Sequence, residues 1–595
     1  MDLPAVSASD RRAFGWLMLL AFVVIGAGIG LRDPWPSDEP RFTLAAKQMV
    51  ESGDWLFPHR GHELYSDKPP MLMWLEAASY EVVRNWRVAF LLPSLLAGLL
   101  CIGLTWDLGR RLWNPRAGLY AAGALLFVFQ FMYQVKRAQI DPLVMGWITL
   151  ANWGLLLHCL RGPNWRAYWL GCFAAGLGVI TKGVGFLALL MLLPYVFARW
   201  RGWDGVTRTS HSTWRWLGGA LAFVLPILAW GIPMLLVAKA RGTPEYAAYV
   251  HDILFRQTAE RYADSWGHHQ PPWYYLPIVT FNWFPLSLPY FGLLVAALAA
   301  WRKPARDANA SGPLTHWRMD LKAHDPRLLL PLAWVLIVIV FFSIPSGKRD
   351  VYLMPAIPMA ALACGPYLAD MIRSRWLRWT TFAVTVLGGV VITGAAIWAL
   401  SGHAAAAQDL AVRRGLEGGG AILWYFLLAI GLALIASAAA FRPQRGVHAL
   451  LGGLVALWLL WSFWAYPVLN DSSSAAGLMR DAAAIVGKDE MGMVAWKEQD
   501  LLMAGRPVVE FGFKRPWDEQ YAAAVQWQAQ APGHRWVFIL EDAMGDCVDR
   551  NRAVKVGHAN RREWWLFRAD AVVPGCVPKI GAPDDAAGRS GDDGM

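Results

Sequence analysis

The 595-residue sequence has few charged residues and few cysteines, and both shortages narrow the class of protein. Asp, Glu, Lys and Arg make up 17% of the chain, whereas a soluble globular protein has about 25%. The composition therefore excludes an ordinary soluble enzyme. The six cysteines show none of the spacings that metal-binding motifs have, which excludes a cysteine-based metal site.

Apolar residues make up 56% of the sequence, and the mean hydropathy is +0.32. Apolar runs of about 18 or more residues recur, and each is long enough to cross roughly 30 Å of hydrocarbon. Because these runs are continuous and do not alternate with polar residues, helices are the expected spanning element. The sequence predicts an all-α polytopic membrane protein with about thirteen transmembrane helices. The predicted spans lie near residues 14–31, 87–106, 117–134, 141–160, 167–181, 184–198, 216–238, 273–300, 328–343, 351–371, 379–400, 421–441 and 447–468.

The Lys and Arg residues of the short loops predict the orientation, because such residues concentrate on the cytoplasmic side. With the N-terminus in the cytoplasm, every loop on that side is basic, for example "GRRLWNPR" and "RSRWLR". The first apolar run is interpreted as an uncleaved helix, and an odd number of spans then places the C-terminal segment outside. The same topology accounts for the net charge of +11, so we expect no nucleic-acid partner.

The sequence divides into a transmembrane domain, residues 1–469, and a second part, residues 470–595, where the composition changes. In the second part, five short segments predict strands, with helical segments between them: "GMVAW", "RPVVEFGF", "HRWVFILED", "AVKVGH" and "WWLFRA". We therefore predict a small α/β domain that ends in an acidic tail. Cys547 and Cys576 lie in this outside part, where a disulfide is chemically permitted.

Outer loops 32–86 and 239–272 interrupt the alternation of helices and short connections, and we predict that they form the active-site face. Short outer loops normally contain little Lys or Arg. Here five outer loops carry cations beside carboxylates, an arrangement that suits the binding of phosphate. The charged residues of these loops are Asp38, Glu39, Arg41, Lys68, Lys136, Arg137, Asp141, Lys182, Arg256, Arg261, Lys348, Arg349 and Asp350.

Each of these motifs also has a plainer structural explanation. Asp38 and Glu39 suit the N-cap and first turn of a helix that begins near Pro40. Lys182 suits a turn between two helices, and His268 suits a solvated loop. A functional site is favoured because so many separate loops deliver charge to one face of the membrane.

The motifs follow one another in a characteristic order: "DEPR", "ESGDW", "LYSDKPP", "KRAQIDP", "LGVITKG", "RYADSWGHHQPPWYYLP" and "SGKRDVYLMPAIP". Together they resemble those of the bacterial GT-C membrane glycosyltransferases, above all the lipid A aminoarabinose transferases and related proteins of the protein-O-mannosyltransferase type. The resemblance covers roughly residues 14–370. It implies a GT-C fold in the bacterial inner membrane, a polyprenyl-phosphate sugar as donor, and an active site on the periplasmic face.

The resemblance also implies roles for individual residues. Asp38 corresponds to the catalytic acid of the first outer loop. Asp67 and Lys68 of "YSDKP" stand where the lipid A enzyme has a metal-binding Glu and a Lys that faces the lipid phosphate, and His268 aligns with a further metal ligand. A divalent metal ion, Zn²⁺ or Mg²⁺, is thus an implied cofactor, although Asp67 is one methylene shorter than Glu.

A polyprenyl-phosphate donor requires positive charge in the site. When the bond between the sugar C1 and the phosphate oxygen breaks, the leaving phosphate gains charge, and cations are needed beside it. The candidates for binding the donor phosphate are Lys68, Arg137, Arg261, Lys348, Arg349 and Tyr352, the last aligning with a Tyr of the family. An acceptor hydroxyl would need a general base, for which Asp38 is the first candidate, with Glu39 and Asp141 as alternatives. An acceptor phosphate is already ionised, and Asp38 would then orient it or steady the sugar.

The sequence thus predicts a membrane glycosyltransferase that moves a sugar from a polyprenyl phosphate to an envelope acceptor: lipid A or lipopolysaccharide, another glycan, or a protein. No nucleotide cofactor is expected, because the lipid donor carries the energy. One alternative is a transporter or flippase of lipid-linked sugars, which should have charged or Gly/Pro-broken spans near the middle of the membrane. Another is a glycan-binding scaffold without catalysis, which the sequence does not distinguish from an enzyme.

Overall fold

The computed structural model describes residues 6–209, 212–255, 269–302, 313–403, 420–560 and 562–576. Helices dominate this part of the chain. The α-helices are Ala8–Gly26, Glu39–Ser52, Met71–Val83, Trp86–Ala89, Leu92–Leu112, Pro115–Phe127, Phe129–Val135, Ile140–Arg161, Trp165–Lys182, Leu192–Trp200, Thr213–Arg241, Pro244–His251, Tyr275–Pro277, Ser287–Arg302, Pro313–Lys322, Pro326–Ser343, Ile357–Met371, Arg375–Trp398, Gly420–Phe441, Gly446–Leu460, Tyr466–Ser473, Ala476–Val486, Glu498–Met503, Trp517–Ala529 and Glu541–Met544. Short 3₁₀ or π segments lie at Gly185–Met191, Ile278–Asn282, Asp350–Ala356, Ala399–His403, Pro443–Arg445, Trp461–Ala465 and Ala569–Ala571.

Eight helices among the described residues are long and apolar enough to cross a membrane. A ninth span results if the bent pair Pro115–Phe127 and Phe129–Val135 is counted as one. The multi-pass, mainly helical architecture is therefore confirmed, whereas the number of thirteen spans is not. The helix Ala8–Gly26 carries three charged residues near its start, and the apolar segment Gly185–Trp200 is shorter than a full span, which accounts for part of the difference.

Glycines allow two helices of the membrane part to pack very closely. A Cβ at Gly154 would lie 2.2 Å from the carbonyl oxygen of Ala167, and one at Gly171 would lie 2.8 Å from that of Ala151. The helices Ile140–Arg161 and Trp165–Lys182 therefore approach more closely than any side chain would allow, as small residues permit in membranes. Because the two helices are antiparallel neighbours, the first turn of one lies beside the last turn of the other.

The first outer loop folds into two helices separated by a short hairpin. The helix Glu39–Ser52 has a proline in its first turn and ends at Gly53, whose positive φ of 75° is the usual left-handed helix stop. Strands β1 (His59–Arg60) and β2 (Glu63–Leu64) pair antiparallel. The helix Met71–Val83 follows directly after the "SDKPP" segment, so this segment is held between two ordered elements.

The five segments after residue 470 that the sequence predicted as strands all coincide with strands. They are β3 (Glu490–Val494), β4 (Val509–Glu510), β5 (Arg535–Leu540), β6 (Val554–Ala559) and β7 (Arg562–Phe567). The strand order is β4-β3-β5-β7-β6, with β3 parallel to β4 and β5, and β7 antiparallel to β5 and β6. We call this sheet and its flanking helices the C-terminal sheet. Cys547 and Cys576 form a disulfide within it.

The C-terminal sheet packs directly on the first outer loop. Leu44, from the helix Glu39–Ser52, is buried in the hydrophobic core of the sheet. Asn470 precedes the sheet, and its side chain accepts from the backbone N–H of Asp33 at 2.7 Å and donates to the Asp33 carboxylate at 2.8 Å. The helix that begins after Asp38 is therefore covered by protein on one side, and the sheet helps to position it.

Candidate functional site

Asp38 immediately precedes the helix Glu39–Ser52 but does not act as its cap. It occupies the N-cap position, as the plainer interpretation of the sequence required, yet its side chain accepts no capping hydrogen bond. Its carboxylate lies 3.7 Å from the guanidinium of Arg41, one turn further along the helix, and is 20% exposed. Asp38 therefore presents a paired but accessible carboxylate at the end of a fixed helix.

Glu39 has a different environment and is completely buried. Its carboxylate receives two bonds from the guanidinium of Arg32, one of them 2.7 Å from Nη2 to Oε1, and further bonds from the backbone N–H groups of Trp35 at 2.8 Å and Ala138 at 3.0 Å. Burial alone would raise the pKa of Glu39, but Arg32 and its other partners hold the pKa below its ordinary value. The sequence offered Glu39 as an alternative base, whereas the geometry favours a structural role, because both oxygens are occupied and shielded from substrate.

The cations Lys136 and Arg137 serve largely structural contacts. The ammonium of Lys136 donates to the carbonyl oxygens of Val24, Ile25 and Ala27 at 2.8 to 3.1 Å and so caps the first helix. Arg137 donates to the hydroxyl of Tyr133 at 2.9 Å and to the carbonyl oxygen of Pro36 at 3.2 Å. Arg137 thereby fixes the segment that leads to Asp38, and its predicted contact with donor phosphate stays a prediction.

A first group of charges lies where several spans end; we call it the span-end group. Asp141, in the first turn of its helix, pairs at 2.5 Å with Lys182, in the last turn of the neighbouring helix. The ammonium of Lys182 also lies 4.9 Å from the centre of the Tyr352 ring. Lys182 is thus not merely a turn residue.

Arg349 belongs to the same group and connects it with Asp38. Burial lowers the pKa of Arg349, but its interactions with the surrounding acidic side chains and with Tyr352 outweigh this effect and raise the pKa above its ordinary value. The acidic side chains are Asp38, Asp141 and Asp350. Among the described residues, no group accepts a hydrogen bond from the Arg349 guanidinium, so its five donors can turn to an anionic ligand.

Lys348, the residue before Arg349, does not share this environment. It is 3% exposed, and its ammonium donates to the carbonyl oxygens of Gln270 at 3.0 Å and Pro345 at 2.5 Å. Its charge is therefore used to hold its own loop against the segment that contains Gln270. The geometry disfavours the predicted donor-phosphate contact for Lys348 and favours it for Arg349.

A second group of charges is built on the first outer loop; we call it the loop group. It contains Arg41, Arg60, Asp67 and Lys68 together with the buried Tyr65. Burial would raise the pKa of Asp67, but the cations around it lower the pKa below its ordinary value; they are Arg60, Lys68, Arg41 and Lys514. Asp38 contributes to the electrostatic field at Tyr65 as well as at Arg349, so it lies near both groups.

Glu498 completes the loop group, and sequence reasoning missed it. This residue opens a helix of the C-terminal sheet, and its carboxylate accepts from Arg41 at 2.9 Å and from Arg60 at 3.3 Å. Despite full burial, Arg41 and Arg60 lower the pKa of Glu498 to about 2. No local pattern could have identified it, because 457 residues separate Glu498 from Arg41.

The described residues do not provide a metal site. Among them, no three His, Cys, Asp or Glu side chains lie close enough together to hold a metal ion. Asp67, one of the two predicted ligands, is instead surrounded by cations, which repel a metal ion. His268, the other predicted ligand, and Arg261 lie outside the described residues.

Comparison with known proteins shows what the chain is similar to. Residues 67–230 match the family described as dolichyl-phosphate-mannose-protein mannosyltransferase. The undecaprenyl phosphate-alpha-4-amino-4-deoxy-L-arabinose arabinosyl transferase of Yersinia pestis (strain Pestoides F) is 28% identical over 377 residues, which is 61% of this chain and 61% of that protein. The corresponding transferase 1 of Sodalis glossinidius (strain morsitans) is 29% identical over 66% of this chain and 67% of its own length. The chain thus spans somewhat less than two thirds of the Yersinia relative.

Comparison with solved structures shows which known fold the chain resembles. ArnT from Cupriavidus metallidurans bound to undecaprenyl phosphate superimposes with a TM-score of 0.66 at 18% identity, over 94% of this chain and 99% of that one. The same protein in the apo state gives a TM-score of 0.65 at 19% identity, over 95% and 100% of the two chains.

The fold is therefore that of the GT-C membrane proteins, with outer loops that gather charge at the ends of the spans. The resemblance to bacterial GT-C glycosyltransferases of the aminoarabinose transferase and protein-O-mannosyltransferase type, which the motifs predicted, is confirmed.

Proposed function

We propose that this protein is an integral membrane glycosyltransferase that moves a sugar from a polyprenyl-phosphate donor to an acceptor of the cell envelope. The observation that carries the proposal is the accessible Asp38 carboxylate, which lies 3.7 Å from Arg41 of the loop group and contributes to the electrostatic field at Arg349 of the span-end group. The names of the relatives support it, since they describe transfer of 4-amino-4-deoxy-L-arabinose from undecaprenyl phosphate. That sugar is the first donor to test, and mannose, from the description of the matching family, is the second.

The span-end group suits the donor phosphate. A polyprenyl chain must lie in the hydrocarbon, so its phosphate lies where spans end. Arg349 and Lys182 supply positive charge there, and Tyr352 supplies a hydroxyl. When the bond from the sugar C1 to the phosphate oxygen breaks, the bonding electrons stay on the phosphate, and these groups stabilise the growing charge.

We assign Asp38 to the acceptor side of the reaction. If the acceptor is a hydroxyl, Asp38 takes its proton as the acceptor oxygen forms its bond to C1. If the acceptor is a phosphate, its oxygen attacks without losing a proton, and Asp38 orients the sugar. Asp141 is the alternative base, but its ion pair with Lys182 makes it the weaker candidate.

The location that we propose is the bacterial inner membrane, with the N-terminus in the cytoplasm and the site on the periplasmic face. The basic loops predicted for the cytoplasmic side support this orientation. The disulfide Cys547–Cys576 also supports it, because disulfides persist in the periplasm and are rare in the cytoplasm. We further propose that the protein has thirteen spans and a separate periplasmic α/β domain.

A divalent metal remains part of the proposal only as an aid to donor binding. It would require His268 together with Asp67 and ligands from the donor or water, since two protein ligands are fewer than a catalytic zinc site has. We expect at most weakly bound metal that EDTA removes without abolishing transfer. Elemental analysis of the purified protein, with activity before and after EDTA, tests this, and stoichiometric metal whose removal stops turnover would contradict it.

The test of the function uses purified protein, a labelled polyprenyl-phosphate sugar and an envelope extract as acceptor. We expect release of polyprenyl phosphate together with label in the extract, and neither with Asp38→Asn. Glu51→Gln, on the same helix but 62% exposed, is the matched control and should transfer normally. Active protein that moves the lipid-linked sugar across a vesicle membrane without releasing polyprenyl phosphate would favour a flippase instead.

A further inference from the structure

The helix Met71–Val83 buries a carboxyl group that the proposed reaction does not use. Glu76 is 0% exposed, and neither of its oxygens has a hydrogen-bond partner among the residues that the structure describes. The helix follows directly after the "SDKPP" segment, which carries Lys68. Glu76 is therefore a buried titratable group without a partner in the described part of the chain, on an element that begins at the loop group.

Glu76 is enclosed against the helix Glu39–Ser52, which packs on its own helix. Thr43 of that helix is the polar side chain beside the Glu76 carboxyl group. Its hydroxyl is also fully buried, and none of the described residues bonds to it. Ala46 and Met73, from the same two helices, belong to one hydrophobic core. The carboxyl and hydroxyl groups thus lie together between the two helices, out of contact with solvent.

No charge on the surrounding helices neutralises Glu76. The helices that pack most closely on Met71–Val83 are Glu39–Ser52, Trp86–Ala89, Leu92–Leu112 and Trp165–Lys182. Their cations are Arg41, Lys47, Arg87, Arg110, Arg111, Arg166 and Lys182, and all of these except the exposed Arg166 pair with other carboxylates. Their acids are Glu39, Glu51 and Asp107. Of these acids only Glu39 acts on Glu76, and it adds a second negative charge.

An ionised carboxylate would be unstable in this position. A charge that is buried without a partner is so costly that the group takes up a proton instead. Burial raises the pKa of Glu76 well above its ordinary value, the Thr43 hydroxyl opposes this shift, and Glu39 adds to it. The protonated carboxyl group has an O–H donor and still accepts, and the Thr43 hydroxyl has the same capacity. The two groups therefore satisfy each other only while Glu76 is neutral.

We propose that Glu76 is a positioning residue whose neutral carboxyl group, hydrogen-bonded to Thr43, couples the helix after Asp38 to the helix after Lys68. The inference rests on the proposed transferase function and goes beyond it, because Glu76 touches no substrate and acts through the spacing of these two helices. When rising pH removes the proton, a buried anion is left beside the charge of Glu39. The helices then separate, Asp38 moves relative to Lys68, and transfer falls.

The experiment measures the transfer rate at saturating donor and acceptor across a range of pH, for the wild type and for Glu76→Gln, which has a similar shape and stays neutral. We expect the wild-type rate to fall about 10-fold per pH unit once Glu76 ionises, as the loss of one proton requires. Glu76→Gln should keep most of the rate at neutral pH and move this decline to higher pH. Infrared spectroscopy adds a readout besides activity: at neutral pH the wild type minus Glu76→Gln should show one protonated carboxyl band, which disappears over the pH range where transfer falls.

A pair of further variants tests the contact itself. Glu76→Leu and Thr43→Val each remove the carboxyl–hydroxyl bond without adding charge, and each should lower the transfer rate about 3–10-fold, the effect of one neutral hydrogen bond. The double variant should be no slower than the slower single variant, because both changes remove the same contact. Additive losses would show that the two side chains act separately and would overturn the coupling.

The matched control is Glu81→Gln, since Glu81 lies on the same helix, is 39% exposed and pairs with Arg84. It should leave the rate and its pH dependence unchanged, and so should Asp500→Asn, which separates the effect from other buried acids. A decline at the same pH in the wild type and Glu76→Gln, or no difference in the carboxyl band, overturns the inference while leaving the function intact. Wild-type protein that transfers no sugar at all overturns the proposed function and this inference with it.

Discussion

At the scale of single residues, Asp38 and Glu39 show how adjacent carboxylates acquire different roles. Glu39 points into the protein, where Arg32 and two backbone N–H groups surround it. Such a buried pair positions the chain, and removing one partner typically destabilises a protein by about 3–5 kcal/mol. Asp38 keeps its exposure and has one cation 3.7 Å away, so it can still contact a substrate.

We expect Asp38→Asn to reduce transfer about 10²–10⁴-fold with a hydroxyl acceptor, because the general base is lost. The melting temperature should not fall, since Asp38 makes no capping bond. Glu39→Gln should instead lower the melting temperature, because it leaves Arg32 buried beside a neutral partner. Thermal unfolding and turnover of the two variants check this contrast; normal turnover in Asp38→Asn would transfer the role to Asp141.

Arg349 and Lys348 form a second contrast between neighbours. We expect Arg349→Ala to raise the donor KM about 10–100-fold, the effect of losing a charge-assisted contact worth roughly 1.5–3 kcal/mol. Lys348→Ala should act mainly on stability, because the Lys348 ammonium binds two carbonyl groups of its own surroundings. Steady-state kinetics with varied donor, alongside melting temperatures, separate the two effects. The reverse pattern would show that the phosphate lies nearer to Lys348.

At the scale of elements, the helix Glu498–Met503 joins the C-terminal sheet to the loop group. Glu498 holds Arg41, which follows Asp38 by one turn, and Arg60 on the hairpin. Two residues further on, Asp500 is completely buried and one of its oxygens lacks a hydrogen-bond partner. These two acids have opposite pKa shifts, so they predict opposite dependences of stability on pH.

Glu498 should stabilise the protein above about pH 4.5 and lose this effect as the pH falls towards 2, because its folded-state pKa is depressed to about 2. The stabilisation is on the order of 3 kcal/mol at neutral pH. Glu498→Gln should remove it and also lower turnover, since Arg41 and Arg60 lose their common anchor. Unfolding free energies at neutral and acidic pH test this; a variant as stable and as active as the wild type would contradict the role of Glu498.

Asp500 should have the opposite effect, because burial raises the pKa of its carboxyl group to about 7. The folded state then prefers the protonated form, so stability is highest below the unfolded-state pKa near 4 and declines as the pH rises through 7. Asp500→Asn keeps the acceptor for the Lys497 N–H and has no charge to bury. We expect the variant to be more stable than the wild type at about pH 8 and similar at about pH 3, below the unfolded-state pKa. Melting curves across this range check it, and parallel curves would exclude the titration.

At the scale of the whole molecule, the sequence predicted elements and motifs better than their connections. Apolar runs and short β segments are local signals, so the multi-pass helical part and the five strands of the C-terminal sheet were found. The sequence singled out Asp38, Asp141 and Lys182 because charge is conspicuous at the ends of apolar helices, and their functional roles stay predictions. Glu498 was not identified, because its role depends on contacts with segments that are distant in the sequence. Lys348 and Arg349 were not distinguished, because the sequence does not show that the Lys348 ammonium binds backbone carbonyl groups.

The packing of the C-terminal sheet on the first outer loop predicts that the site depends on contact between the two parts. Leu44 is the residue through which the helix after Asp38 enters the core of the sheet. Leu44→Lys would place an unpaired charge in that core, which is costly. We therefore expect the sheet to detach, Arg41 and Arg60 to lose Glu498, and turnover to fall severely while the spans remain folded. Limited trypsin digestion should cut between the two parts faster, whereas Leu44→Met, which conserves volume and polarity, should behave as the wild type. Normal turnover in Leu44→Lys with a detached sheet would show that the membrane part alone assembles the site.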